Sequence, residues 1–140
     1  MEEEAIKKLA KKNIEKWKIR LGFSDWEISA KITAFRRTDG FLQDGDIVVN
    51  YSKKQAIILV GTTLKALVEE VVIHELVHLM LWPLDQKIIS IIKTLPRTEQ
   101  KRAEEDFLGK LEDVAAQITK AVLQGGSGKK YKKCCYPKYR

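Results

Sequence analysis

The sequence predicts an α+β fold: an N-terminal helix, a small three-stranded antiparallel sheet, a helix carrying a pair of histidines, and a long C-terminal helix. Three observations predict it. Apolar residues recur at helical spacing near both ends of the chain; apolar and polar residues alternate with period two between residues 26 and 35; and residues 63–82 are apolar almost all round, with no Gly or Pro.

From Glu2 to Leu21 the apolar positions are Ile6, Leu9, Ala10, Ile14, Trp17 and Leu21, with lysines and glutamates between them and Gly22 as a stop. That spacing predicts an amphipathic helix. Residues 26–35 (WEISAKITAF) alternate as a half-buried strand should. Gly40 to Gly45 punctuates the chain before two strand-like runs, Asp46 to Tyr51 and Ala56 to Val60, joined by the polar link Ser52 to Gln55. These predict a hairpin. The second run is the more continuously apolar and reads as the interior strand, which leaves Asp46 to Tyr51 at an exposed edge. Residues 63–82 then predict a buried helix stopped by Pro83, followed by a short helix over 85–94 bounded by Pro96. The last helix is expected from about Thr98 to Leu123, with Phe107, Leu111, Val114, Ile118 and Val122 as its apolar stripe.

Within the buried helix stand His74-Glu75-Leu76-Val77-His78, and the chain has no other histidines. Side chains at i and i+4 share one helical face, so both imidazoles can close on one zinc ion while Glu75 sits at its edge. Burying two imidazoles and a carboxylate without partners is costly, and a metal supplies the partner. The pattern therefore implies metal-assisted hydrolysis, with Glu75 as the carboxylate that activates water. A catalytic zinc usually takes three protein ligands and keeps a fourth position for water. With no third histidine, the remaining donor is a carboxylate or, less favoured, a thiolate. The final helix offers Glu99, Glu104, Glu105, Glu112 and Asp113. Glu112 is the preferred candidate because it borders the apolar stripe and is followed by small Ala115 and Ala116, which permit close helix approach. Glu105, seven residues earlier on the same flank, is the next choice.

At 140 residues the chain is long enough to bury a core without disulfide staples. Residues 1–123 are expected to form one domain and 124–140 a basic tail, separated by Gly125-Gly126-Ser127-Gly128. Six of the seven net positive charges fall in residues 125–140, so the body carries only about +1. That distribution argues against nucleic-acid binding by the body and leaves it, if anywhere, to the tail. The sequence has no apolar run of transmembrane length, begins with an acidic Met1-Glu2-Glu3-Glu4, and has only Cys134 and Cys135, which points to a cytoplasmic protein with no membrane partner.

In order of elements, and in the motif His74 to His78 backed by Leu111-Glu112-Asp113-Val114, residues 1–123 resemble the minimal zincin-like metalloproteases called minigluzincins. The resemblance implies zinc ligation by His74, His78 and Glu112, catalysis by Glu75, and a peptide or protein substrate. The tail, Gly126 to Cys135, is similar to the latter half of the zinc motif that ends many SecA translocases, but Leu123 and Gly125 stand where its first cysteine pair belongs. It is expected not to hold zinc alone. Two further readings follow. A non-catalytic, zinc-stabilised binding module would use the lysine-rich tail on nucleic acid or an acidic partner, and a latent peptidase would present Cys134 or Cys135 to its own metal.

Overall fold

The computed structural model describes residues 2–35, 44–64 and 66–125. The expectations placed on 36–43, on the tail beyond Gly125 and on Cys134 and Cys135 lie outside these residues. The class is α+β, with helices α1 (Glu3–Arg20), α2 (Val68–Met80), α3 (Trp82–Ile92) and α4 (Arg97–Gly125) and strands β1 (Glu27–Thr33), β2 (Gly45–Asn50) and β3 (Gln55–Gly61). The chain divides into two compact units, Met1–Leu79 and Met80–Arg140.

In the first unit, α1 buries Ile6, Ala10, Ile14 and Trp17, one face at i, i+4, i+8 and i+11. Each large side chain of that face contributes about 1.5–3 kcal/mol by leaving water. Glu3 and Glu4 in the first turn and Lys18 and Arg20 in the last complement the helix dipole. The helix stops where the sequence predicts. Gly22 takes φ +87°, and the amides of Gly22 and Phe23 donate back to the carbonyls of Ile19 (3.3 Å) and Lys18 (2.6 Å), a glycine-dependent closure of the last turn.

The sheet has strand order β1-β3-β2. β2 and β3 form the predicted antiparallel hairpin, with Val48 opposite Ile57 and Asn50 opposite Gln55. Its loop, 51–54, closes with Lys54 N–H donating to Tyr51 O (3.2 Å) and ends on Lys54 at φ +52°, the left-handed residue that brings the chain back into register. As expected, β3 is interior and β2 lies at an edge. The prediction of an antiparallel sheet is wrong for β1, which pairs with β3 in parallel, Glu27 beside Gln55 through Thr33 beside Gly61. Alternation reveals which face a residue takes but not which way its strand runs. The short turn forces β2 and β3 to oppose, whereas no turn constrains β1, and in parallel register Ile28 and Ala30 fall on the same buried face as Ala56, Ile58 and Val60.

The helix expected over 63–82 is shorter at both ends and begins at Val68. Its lead-in is held as a loop: Ala66 N–H donates to Asp44 Oδ2 (3.0 Å), and Leu67 remains 75% exposed. From Val68 onward α2 is central, burying Val68, Val71, Val72, Ile73, Glu75, Leu76, Val77 and Leu79.

In the second unit, Pro83 ends α2 but also opens α3, since a proline in a first turn lacks only an amide that the helix does not use. α3 and α4 are joined by a tight corner in which the Gln100 side-chain amide donates to Leu95 O (2.8 Å) and Lys93 O (3.2 Å), satisfying carbonyls the end of α3 leaves unpaired. On α4 the fully buried positions are Ala115 and Thr119, flanked by half-buried Leu111, Ile118 and Val122. Val114, expected in the stripe, is 47% exposed and falls outside it.

Candidate metal centre

Among the described residues, the chemistry-bearing side chains of the first unit gather on α2. His74 and His78 are half-buried, their Nε2 atoms are 3.2 Å apart, and their rings lie at 72° with centroids 4.8 Å apart. Two nitrogens held by one tetrahedral zinc at about 2.0–2.1 Å would be separated by roughly 3.3–3.4 Å. The pair thus already has close to the spacing of one edge of such a coordination shell. Both rings are turned to the same point, although their Cα atoms are a full helical turn apart.

Glu75 follows His74 and is only 6% exposed. A carboxylate this deep is tolerated only where neighbouring groups engage it, and Glu75 is so engaged. The first residue of β2 runs directly over it. A methyl group added at Gly45 would lie 2.6 Å from Val71 Cγ1, 3.2 Å from Glu75 Oε2 and 3.3 Å from the Leu59 carbonyl oxygen. Only glycine lets the strand come this near the helix.

The N-terminal turn of α2 is fixed to α1 by Glu69. Its Oε2 accepts from the Trp17 indole N–H (2.9 Å) and from Lys16 Nζ (3.0 Å). The Trp17 hydrogen bond, then that of Lys16, holds the Glu69 carboxyl below its ordinary range against the opposing effect of burial. The donors are successive residues of α1, Trp17 on its buried face and Lys16 on its exposed one, so the carboxylate is held from two sides.

Glu112 lies on α4, in the second unit, exposed and one turn before buried Ala115; Glu105, the alternative, is exposed two turns earlier. The structure therefore brings His74, Glu75 and His78 together on one stretch of α2, with Gly45 above Glu75. Sequence reasoning missed Gly45 and the Trp17–Glu69 contact. A glycine amid turn residues reads as punctuation, and a tryptophan on an amphipathic face reads as core.

Charge is otherwise thinly organised. Asp25 and Lys54 pair at the surface, each shifting the other toward its charged form. Among the described residues, no helix is long and apolar enough to cross a membrane. No protein family matches the chain, and no curated protein or solved structure matches it.

Proposed function

We propose that the protein is a metal-dependent hydrolase and, more narrowly, a zinc metallopeptidase of the minigluzincin type in which His74, His78 and Glu112 hold one zinc ion and Glu75 moves the protons. The observation that carries this reading is the 3.2 Å approach of the two Nε2 atoms with a buried carboxylate one residue away. The rings can share a hydrogen bond without a metal, but a buried helix with no metal to bind would more economically leave residue 75 apolar. Bound zinc supplies a Lewis acid that polarises a carbonyl and lowers the pKa of its water toward about 7.

The chain's own residues do the rest. His74 and His78 offer neutral ring nitrogens, and Glu112 adds the negative charge that a two-histidine site lacks. The Glu75 carboxylate accepts a proton from the attacking water and returns it to the nitrogen of the departing amine, so that one side chain serves as base and then acid. Its burial keeps bulk solvent from competing for that proton.

The substrate is an extended peptide laid along β2. In the β2–β3 ladder, Gly61 N–H donates to Asp44 O (2.7 Å), and by alternation the residues that bond to β3 are Asp46, Val48 and Asn50. The backbone groups of Ile47 and Val49 face the other way. Asp46 Oδ1 already accepts from the Ile47 amide (2.8 Å), so Val49 is the residue best able to donate to and accept from an added strand.

The test is zinc content and peptide hydrolysis on the same samples. Wild-type protein is expected to retain one zinc per chain after dialysis, and His74→Ala and His78→Ala none. Glu75→Gln should keep its zinc and lose roughly 10²- to 10⁴-fold in rate. Wild-type protein that takes up no zinc, or a Glu75→Gln variant as fast as its parent, would refute the reading.

A further inference from the structure

The geometry points to Gly45 as a positioning residue for Glu75: the bare backbone at the start of β2 forms the wall against which the Glu75 carboxylate is set, and a side chain there would push that carboxylate off its position by a few tenths of an ångström. This inference rests on the peptidase reading for its consequence in catalysis, but its structural content stands apart from it.

A Cβ at position 45 would meet three neighbours: Val71 Cγ1 at 2.6 Å, Glu75 Oε2 at 3.2 Å and Leu59 O at 3.3 Å. They differ in how they can yield. Leu59 O belongs to the central strand of the sheet and is backbone. Val71 is 3% exposed, in the first half of α2, and a valine in a helix has essentially one χ1 rotamer. Glu75 Oε2 is the far end of a side chain with three rotatable bonds, so it is the neighbour that moves most cheaply. The strand cannot retreat instead, because the Asp44 carboxylate binds the Ala66 amide at 3.0 Å and the Asp44 carbonyl binds the Gly61 amide at 2.7 Å. Those two bonds pin the residue beside Gly45 to the lead-in of α2 and to β3 at once. Displacing the carboxylate leaves the histidines, on neighbouring positions of the helix, where they are.

Gly45→Ala alone can fail simply by unfolding the protein through the Val71 contact, so the experiment uses Val71→Ala as background. Val71→Ala removes the 2.6 Å clash, and Gly45→Ala/Val71→Ala then tests what remains against Glu75. Full-length protein labelled with ¹³C at glutamate Cδ, loaded with zinc, is compared in the two variants, with the Glu75 resonance identified by its loss in Glu75→Gln. The inference expects both proteins to melt within a few degrees of each other and to hold equal zinc, while the Glu75 resonance shifts. It also expects turnover of dye-labelled casein to fall roughly ten- to a hundredfold with KM little changed. A Glu75 resonance in the same place in both variants overturns the inference, as does loss of zinc from the double variant. If neither parent nor Val71→Ala hydrolyses casein or peptides, the peptidase reading fails, and the resonance still decides whether Gly45 positions Glu75.

Discussion

Glu69→Gln isolates the contact that docks α2 on α1. The substitution keeps the shape of the side chain and one acceptor oxygen, so the Trp17 and Lys16 hydrogen bonds at 2.9 and 3.0 Å lose mainly their charge. A hydrogen bond to a charged group contributes about 1.5–3 kcal/mol against about 1 for a neutral one. The Lys16–Glu69 side chains are 44% and 34% exposed, so water screens the pair, and an ion pair of this kind adds only about 0.2–1 kcal/mol. Glu69 lies in the first turn of α2, where its charge also meets the helix dipole for about 0.3–1 kcal/mol more. After discounting for exposure, the variant is expected to lose about 1–2 kcal/mol at pH 7. Urea unfolding followed by circular dichroism reads this as a midpoint lowered by roughly 0.5–1 M. The loss depends on pH in a fixed direction. Folding lowers the Glu69 pKa from its ordinary 4.5, so the stabilisation is complete above that value and disappears as pH falls through the lower folded value. The difference between variant and parent should therefore shrink in acid. A difference that is the same at pH 7 and at pH 3, or absent at both, would show that the carboxylate does not tie the two helices.

Other consequences are equally direct. Glu112→Ala should lower zinc affinity by at least tenfold in a chelator competition, whereas Glu105→Ala should leave it unchanged; the reverse order would make Glu105 the third ligand. Leu76→Ala removes a fully buried side chain from the helix that carries the histidines and should cost about 2–5 kcal/mol in denaturant unfolding. Gln100→Ala exposes the carbonyls of Lys93 and Leu95 at the α3–α4 corner and should cost about 0.5–1.5 kcal/mol, with faster hydrogen exchange confined to the end of α3.

The elements of this fold are legible in the sequence because each has a local cause. The stripe Ile6, Ala10, Ile14 and Trp17 makes α1 whatever surrounds it, and the run of apolar residues from Val68 to Leu79 makes α2 a buried helix. Features set by distant partners are not legible. The direction of β1 depends on how the chain returns to β3, which alternation within β1 does not record, and the start of α2 depends on Asp44 capturing the Ala66 amide. The same division runs through the site. An i, i+4 spacing is enough to place His74 and His78 side by side, as their 3.2 Å separation reflects. Gly45 carries no such mark, since its neighbours Val71 and Glu75 come from another element entirely.

The mixed pairing of β3 also orders the assembly of the sheet in time. Residues 50 and 55 meet across a four-residue loop, in a hairpin that forms within about 1–10 μs, whereas Glu27 must find Gln55 across the whole intervening chain. The hairpin is thus the natural nucleus and β1 a late arrival brought in with the helix it packs against. Sequence changes in the hairpin would slow the approach to the native state, and changes in β1 would hasten departure from it.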